Sequence, residues 1–263
     1  MTDGDLPLAS PEELAAAMGP AERRLVLLDF DGVLAPIVDR HDRAAPSPGA
    51  IAAIEALADR TAVAIVSGRG IADLTERLGG LSVGLAGGHG AEIVLADGSP
   101  AHLIDPERLA PTLDTAERAL EDVIGDRDGW LIERKPTSLA VHHRLAPPDT
   151  VEAFLPRVHA ILGDRTGDDP GFAVLDGKAI VELRPASVDK GHAVDLFSDR
   201  TPTLEPLVLG DDTTDEDAFR AALARNGDAI LVASDPRPTA ATYRLADPPA
   251  VIDFLSALSR SRS

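Results

Sequence analysis

The chain has 263 residues, of which 44% are hydrophobic and 26% charged, a composition typical of folded globular proteins that excludes extensive disorder. A net charge of −19 argues against binding to nucleic acid or to an anionic membrane surface, and the absence of cysteine excludes disulfides, thiolate zinc sites and thiol nucleophiles. The first residues lack the features of a secretory signal, and no apolar run approaches the ~18 residues that span a bilayer. We therefore expect a soluble, cytoplasmic protein.

Strands and helices alternate towards both ends of the chain. The apolar runs Leu25–Leu28, Ala62–Val66 and Leu207–Leu209 are typical of strands buried on both faces, and stretches with helical spacing follow them. This alternation predicts an α/β fold with a Rossmann-like parallel sheet covered by helices. The other predicted elements of this part are strands Val83–Ala86, Glu92–Leu95 and Ala229–Val232 and helices Ile51–Ala58, Ile71–Leu78, Gly191–Phe197, Asp215–Ala224 and Ala250–Leu258.

The middle of the chain has a different pattern. Between the turn-rich segments 97–100 and 184–187, strands lie close together or flank a helix and alternate in polarity, which predicts a mainly antiparallel sheet with helices on one face. We therefore expect a discontinuous core of residues 1–101 and 186–263, interrupted by an α+β cap of residues 102–185. The predicted cap elements are helices Pro111–Ile124 and Thr150–Leu162 and strands Trp130–Lys135, Ser138–Arg144, Phe172–Leu175 and Ala179–Leu183.

The sharpest local motif follows the first predicted strand, where Asp29 and Asp31 flank Phe30 and precede Gly32. Two residues separated by one project to the same side of an extended chain. They lie where a parallel sheet opens a crevice at the carboxyl ends of its strands, and Gly32 allows the backbone to turn sharply away. The motif indicates carboxylate chemistry; solvated loop acids or helix caps are the alternative interpretation.

A second acidic motif, from Gly210 to Glu216, follows the predicted strand that ends at Leu209. Acidic residues packed this densely at a strand end are typical of oxygen ligands for a hard cation. The alternative is a capped helix start, with acids at the positive end of the helix dipole. Both interpretations hold together if Asp215 stabilises the helix while Asp211 binds the metal.

Two further motifs carry groups that suit a phosphate. Ser67, Gly68 and Arg69 follow the second buried strand and combine a hydroxyl, a flexible backbone and a guanidinium. Lys190 precedes a predicted core helix, in a chain whose only other lysines are Lys135 and Lys178. Taken alone, the first motif is a common turn and the second an ordinary exposed lysine.

The order of these motifs is more specific than any one of them. Asp-x-Asp-Gly, then Ser, then Lys, then Gly-Asp-Asp-x-x-Asp, each beside a predicted strand end or helix start, resembles the motif order of the haloacid-dehalogenase-like phosphohydrolases. The cap falls between the second and third motifs, as in the sugar-phosphatase branch of that superfamily. Within this branch the chain resembles the trehalose-6-phosphate phosphatase family from about Leu25 to Phe254. The segments that carry the resemblance are 29–37, 67–69, 88–92, 133–135, 142–144 and 210–216.

The cap contains the specific part of the resemblance. Period-two alternation places polar and charged groups on one sheet face, where they could grip sugar hydroxyls and a phosphate; the alternative is an exposed face with ion pairs worth under ~1 kcal/mol each. Val33 stands where the family more commonly has Thr, and His143 stands where an aromatic residue is expected. The substrate-binding residues that the resemblance implies are Arg69, His89, Glu133, Lys135, His142, Arg144, Lys178 and Glu182.

The resemblance also implies a reaction, the hydrolysis of trehalose 6-phosphate to trehalose and inorganic phosphate. Asp29 is then the nucleophile that forms an aspartyl phosphate, and Asp31 protonates the leaving sugar oxygen before deprotonating the attacking water. Ser67 and Lys190 neutralise phosphoryl oxygens, and Lys190 also restrains Asp29 before substrate arrives.

A phosphate dianion approaches these carboxylates only if positive charge intervenes, and Mg²⁺ is the cofactor that the resemblance implies. Its expected ligands are the Asp29 side chain, the Asp31 backbone carbonyl and the Asp211 side chain. Asp215 is expected to contact the ion through a water.

Three other functions fit the same motifs. The first is a phosphatase of this fold for another sugar phosphate, of the sucrose 6-phosphate or mannosyl type; the others are a sugar-phosphate-binding module without turnover and a phosphomutase. The intact set Asp29, Asp31, Ser67, Lys190 and Asp211 argues against the module, because such modules tolerate loss of the nucleophile or the acid. The motifs imply a small-molecule substrate and contain no prediction of a protein partner.

Overall fold

In the computed structural model, residues 6–38, 43–101, 105–168, 171–177 and 179–261 are described. The chain divides into a large unit, formed by Met1–Leu103 and Asp189–Ser263, and an inserted unit, Ile104–Val188. Each unit has a sheet and a hydrophobic core of its own.

The large unit is built on an eight-stranded sheet. Its strands are β1 (Arg24–Leu28), β2 (Val63–Val66), β3 (Gly84–Gly87), β4 (Glu92–Val94), β5 (Pro100–Ala101), β10 (Glu205–Gly210), β11 (Asp228–Val232) and β12 (Tyr243–Leu245). They lie in the order β12-β11-β10-β1-β2-β3-β4-β5. Neighbours from β12 to β3 are parallel, and β4 and β5 extend the sheet with antiparallel pairs.

Helices cover both faces of this sheet, as the double-sided burial of its strands requires. The helices of the large unit are α1 (Pro11–Met18), α2 (Ala50–Ala58), α3 (Ile71–Arg77), α6 (Lys190–Arg200), α7 (Glu216–Ala224) and α8 (Pro248–Arg260). In β1, Val26 and Leu28 pack in the cluster that includes Ile54 of α2, whereas Leu25 and Leu27 pack in the cluster of α6 and α7. The predicted α/β class with a parallel sheet is confirmed.

Three elements of the large unit were absent from the sequence-based prediction: helix α1 and the two edge strands, β5 and β12. Strand β12 has only three residues, and its central residue, Arg244, is buried. The Arg244 guanidinium donates hydrogen bonds to the carbonyls of Ala233 and Ser234 and to that of Leu6, which lies 238 residues earlier in the chain. A short strand with a buried arginine at its centre has no local apolar signature.

The inserted unit is an antiparallel four-stranded sheet packed against two helices. Its strands β6 (Leu131–Arg134), β7 (Leu139–His142), β8 (Phe172–Gly177) and β9 (Ile180–Pro185) lie in the order β6-β7-β9-β8, and its helices are α4 (Pro106–Val123) and α5 (Pro148–Asp168). Val181 and Leu183 of β9 are buried in a cluster with Leu120 of α4 and Leu162 of α5. Their alternate neighbours therefore lie on the opposite face of the sheet.

Helix α4 begins before the predicted Pro111. Asp105 caps its start by accepting a hydrogen bond from the Glu107 amide at 3.0 Å, and Pro106 occupies the first turn, where a missing amide hydrogen costs nothing. None of the helices in the described part of the chain has both the length and the apolar composition that a membrane crossing needs.

Candidate active site

Polar side chains follow three adjacent parallel strands of the large sheet. Asp29 comes directly after β1, Ser67 after β2 and Asp211 after β10. The strand pairing continues through these positions, because the Asp29 amide donates to Leu209 O at 3.0 Å and the Ser67 amide to Ala86 O at 2.8 Å. Parallel strands end at one edge of a sheet, so the three predicted motifs meet there.

Lys190, the first residue of α6, joins two buried carboxylates at this edge. Its Nζ lies 2.8 Å from Asp29 Oδ2 and 2.6 Å from Asp215 Oδ1. The side chains of Lys190, Asp29 and Asp215 are 3%, 8% and 2% exposed, so these ion pairs are shielded from water. The second Asp29 oxygen accepts a hydrogen bond from the Phe30 amide at 2.7 Å, and the carboxylate is therefore held at both ends.

Asp215 also shapes the acidic loop between β10 and α7. Its Oδ2 accepts hydrogen bonds from the amides of Asp211 (2.9 Å) and Asp212 (3.0 Å), while Asp212 caps the short 3₁₀ turn Thr213–Asp215. The structure thus contains both features that the sequence offered as alternatives, a capped helix start and a cluster of acidic oxygens.

Gly32 brings the turn after β1 against this acidic loop. It has a φ of 76°, and a Cβ built at Gly32 would lie 2.1 Å from Asp211 Oδ2. Both the backbone conformation and the close approach require glycine.

The carboxylates carry more negative charge than Lys190 balances. Burial raises the pKa of Asp29 to about 6, with the Lys190 charge opposing the rise and the Asp215 charge adding to it. Burial raises the pKa of Asp211 to about 7, and the charges of Asp29 and Asp215 raise it further. Burial lowers the pKa of Lys190, but the charges of Asp29 and Asp215 outweigh burial and raise it.

This cluster fits a divalent cation. One oxygen from each of Asp29, Asp211 and Asp215 lies within 4.8 Å of the other two. An ion among them would offset the repulsion that raises the two carboxyl pKa values. A donor set made only of oxygen suits a hard cation such as Mg²⁺ rather than a softer transition metal.

Arg69 has two acidic partners. Its Nε and Nη2 donate to the two carboxylate oxygens of Asp31 at 2.7 and 2.8 Å, and its Nη1 donates to Asp73 at 2.7 Å. The Arg69 side chain is 1% exposed, whereas that of Asp31 is 31% exposed. The Arg69 guanidinium, which the sequence predicts to bind phosphate, therefore forms an ion pair with Asp31 in the structure. Contact between Arg69 and the substrate stays a prediction.

His89 lies beside the Ser67 turn. The His89 amide donates to Ser67 O at 2.9 Å and the Gly88 amide donates to Arg69 O at 2.9 Å. The His89 ring covers Gly68 so closely that a Cβ there would lie 2.7 Å from His89 Nε2, and His89 itself has a positive φ of 59°. Ser67 and His89, which the sequence places apart, thus form one small loop cluster.

The inserted unit brings several of the predicted sugar-binding residues to one sheet face. Glu133 and Glu182 both pair in register with Ala140 of β7, and neighbouring Glu133 and His142 form a contact of 2.7 Å between Oε2 and Nε2. Lys135 Nζ lies 3.7 Å from Glu182 Oε1. Arg144 follows β7 and is exposed, and Lys178 lies outside the described residues.

Three residues that the sequence-based prediction missed connect to the predicted ones. Ser138 is buried and donates to Glu182 Oε1 at 2.7 Å, and Asp73 joins Asp31 in holding Arg69. The third, Arg237, contacts the acidic loop. The partners of Ser138 and Arg237 are 44 and 25 residues away in sequence, so these two contacts leave no motif.

His143 lies with its ring centroid 5.6 Å from that of Trp130. The residue that departs from the family pattern thus has an aromatic neighbour.

The parallel sheet, with its acidic and basic side chains at the carboxyl ends of adjacent strands, defines a haloacid-dehalogenase-like fold. Residues 27–249 match the family model for trehalose-phosphatase. The chain is 38% identical over 250 residues to the trehalose-phosphate phosphatase of Mycobacterium marinum, an alignment that covers 92% of this chain and 63% of that protein. It is also 38% identical to the trehalose-phosphate phosphatase of Mycolicibacterium paratuberculosis, covering 97% of this chain and 67% of the relative.

A solved structure agrees with this assignment. The C-terminal domain of trehalose-6-phosphate phosphatase from C. albicans superposes with a TM-score of 0.70 and 26% identity, covering 98% of this chain and 99% of that one. This chain belongs to the trehalose-phosphatase family, which confirms the resemblance. It spans about 63% of the length of the Mycobacterium marinum protein.

Proposed function

We propose that this chain hydrolyses trehalose 6-phosphate to trehalose and inorganic phosphate, with Mg²⁺ as cofactor. The observation that carries the proposal is the buried Asp29–Lys190–Asp215 cluster, with Asp211 close enough to share a cation. Family membership supports a sugar phosphate as substrate. The two relatives that carry this activity in their names align with 92% and 97% of this chain.

Asp29 is the proposed nucleophile. Its carboxylate is held by Lys190 on one oxygen and by the Phe30 amide on the other, so its orientation is fixed before substrate binds. Attack of an Asp29 oxygen on phosphorus forms an aspartyl phosphate and breaks the bond between phosphorus and the sugar oxygen. Lys190 and Ser67 neutralise the oxygens of the transferring phosphoryl group.

The cation would be held by Asp29, Asp211 and the Asp31 backbone carbonyl, with Asp215 in contact through a water. When bound, it supplies the positive charge that allows a phosphate dianion to approach several carboxylates. Asp215 has a further task in this chain, because its oxygens bind both Lys190 and the amides of the acidic loop.

Asp31 is the proposed general acid and base. It gives a proton to the departing sugar oxygen, then takes one from the water that hydrolyses the aspartyl phosphate and regenerates Asp29. Arg69 occupies both Asp31 carboxylate oxygens in the structure. Asp31 must therefore release at least one arm of Arg69 before it can reach the leaving oxygen, and Arg69 defines its resting position.

The inserted unit is proposed to bind the sugar. Glu133, His142, Lys135 and Glu182 are partly exposed on one sheet face, and charged side chains of this kind bind sugar hydroxyls well. Arg144, Lys178, Arg69 and His89 complete the proposed substrate-binding set.

The test is phosphate release from trehalose 6-phosphate, glucose 6-phosphate and sucrose 6-phosphate, each with Mg²⁺ and with excess chelator. We expect turnover of trehalose 6-phosphate in Mg²⁺ that exceeds turnover of the other two, and loss of that turnover in chelator. Preference for sucrose 6-phosphate would contradict the proposed substrate but not the proposed reaction mechanism. Full activity in chelator would contradict the cofactor.

A further inference from the structure

Arg237 connects the loop between β11 and β12 to the acidic loop that contains Asp211. Its Nη2 donates hydrogen bonds to the backbone carbonyls of Asp212 (2.9 Å) and Asp211 (3.4 Å). Its Nη1 donates to Glu216 Oε1 at 2.7 Å. One guanidinium thus bonds to both the acidic loop and the first residue of α7, which follows that loop.

Glu216 strengthens this connection from the other side. Its second oxygen, Oε2, accepts a hydrogen bond from the Ala240 amide at 2.8 Å, so the two loops are joined at both ends of one carboxylate. The Glu216 side chain is 12% exposed and that of Arg237 is 24% exposed. This ion pair is therefore less exposed to water than an ordinary surface pair.

The loop that carries Arg237 is stiff. Pro236 and Pro238 flank Arg237, and proline fixes its own φ while restricting the residue before it to extended conformations. The backbone at 235–238 therefore has few alternative conformations, and little entropy is lost when Arg237 is held against the acidic loop.

We propose that Arg237 is a positioning residue for the metal ligand Asp211. Because it holds the carbonyls of Asp211 and Asp212, it fixes the backbone from which the Asp211 carboxylate projects. Groups that orient a metal ligand without touching the metal commonly contribute about 10–100-fold to metal affinity. This inference deepens the proposed function, because it rests on the cation role of Asp211.

A competing role for Arg237 predicts a change of opposite sign. If Arg237 acted only as a nearby positive charge, its removal would tighten Mg²⁺ binding by reducing repulsion. If it positions the loop, its removal weakens Mg²⁺ binding. If it only stabilises the fold, its removal lowers the free energy of unfolding and leaves the Kd for Mg²⁺ of the folded protein unchanged.

The experiment is calorimetric titration of the full chain with MgCl₂, in the absence of substrate. We expect Arg237→Ala to raise the Kd for Mg²⁺ about tenfold and Arg237→Lys, which keeps the charge but loses the two-armed geometry, to raise it less. Arg220→Ala is the matched control: Arg220 lies on α7, close in sequence to the acidic loop, but its side chain is 63% exposed and it pairs with Asp217. We expect its Kd to match the wild-type value.

A second readout separates metal binding from catalysis. With p-nitrophenyl phosphate as substrate, the Mg²⁺ concentration for half-maximal rate should rise by the same factor in Arg237→Ala, while kcat at saturating Mg²⁺ stays near the wild-type value. If Arg237→Ala does not fold, Glu216→Gln, which keeps the size but loses the charge and one of the two acceptor oxygens, should give a smaller rise in Kd.

Unchanged or tighter Mg²⁺ binding in these variants overturns the positioning role. Wild-type protein that binds no Mg²⁺ overturns both this inference and the proposed cofactor. Normal Mg²⁺ binding with no hydrolysis of trehalose 6-phosphate contradicts only the proposed substrate, and the effect of Arg237→Ala on Kd then still decides the inference.

Discussion

The charged clusters of the two units differ in how far their side chains are exposed to water. In the large unit, Lys190 and its partners Asp29 and Asp215 are almost fully buried, and each oxygen or nitrogen has a defined partner. In the inserted unit, Glu133 and His142 form an equally short pair, but their side chains are 45% and 37% exposed.

This contrast matches the two tasks proposed for the clusters, nucleophilic attack in the large unit and sugar binding in the inserted unit. A nucleophile must be aligned to phosphorus before the reaction, and buried partners fix its orientation at a cost in desolvation. A sugar offers many hydroxyls, and half-exposed side chains can adjust to them and contribute little to folding. Four predictions follow from the contrast between these clusters.

The largest effect is expected from Asp29→Asn, which removes the proposed nucleophile and keeps the side-chain shape. Phosphate release should fall at least about a thousandfold, because the covalent pathway is lost. Labelled phosphate should form no trapped aspartyl phosphate in this variant. Asp217→Asn, on the exposed surface of α7, serves as the control and should keep wild-type rates. Wild-type turnover in Asp29→Asn would exclude the covalent mechanism.

Lys190→Met should destabilise the fold strongly, because it leaves two buried carboxylates without their ammonium partner. We expect the free energy of unfolding to fall by about 3–5 kcal/mol, measured by urea denaturation of the metal-free protein. Glu133→Gln, which removes the charge of an exposed pair, should cost less than about 1 kcal/mol. Equal costs for the two variants would show that burial does not distinguish the clusters.

In the inserted unit, the effect should be on specificity rather than on stability. Glu182→Ala and Glu133→Ala should each lower kcat/KM for trehalose 6-phosphate at least about tenfold, since hydrogen bonds to charged groups are worth about 1.5–3 kcal/mol. Hydrolysis of p-nitrophenyl phosphate, which has no sugar, should barely change. Equal losses on both substrates would assign these residues to the fold instead of to the sugar.

The smallest expected effect is a change with pH in the stability of the metal-free protein. Burial raises the pKa of Asp211 to about 7, so the folded state retains a proton that the unfolded state has released. Stability should therefore fall as pH rises from about 6.5 to about 8, in line with proton linkage. Below that range His143, whose pKa is lowered by burial, contributes a stability that rises with pH.

Thermal denaturation at several pH values between these limits measures this dependence. Asp211→Asn should flatten it, and added Mg²⁺ should restore wild-type stability most at the higher pH, where Asp211 is ionised. A wild-type melting temperature that is constant or rises with pH would contradict the raised pKa.

The parallel sheet is predictable from the sequence because its central strands are short apolar runs. Leu25, Val26 and Leu27 alternate between two hydrophobic clusters, and only a strand covered on both faces needs every residue to be apolar. The site edge is predictable for a related reason, since carboxyl ends of adjacent parallel strands must meet. Family membership confirms the resemblance that the motif order carries.

The pairing of side chains is not predictable in the same way. The sequence shows an arginine after Ser67 and Gly68, but not that Asp31 and Asp73 occupy its guanidinium. Arg237 lies between two prolines with no motif around it, and its role depends on carbonyls more than twenty residues earlier in the chain. Local patterns determine where the backbone turns, whereas these contacts depend on how separate turns meet.

The missing side chain of Gly32 has a consequence for sequence variation. A methyl group at this position would overlap the Asp211 carboxylate, so the residues at positions 32 and 211 cannot be substituted independently. A lineage that placed alanine at 32 would have to relocate, in the same step, an acidic residue of the loop that follows a different strand. Libraries that randomise the turn after β1 in search of new substrates should therefore hold Gly32 constant, or vary it only together with Asp211.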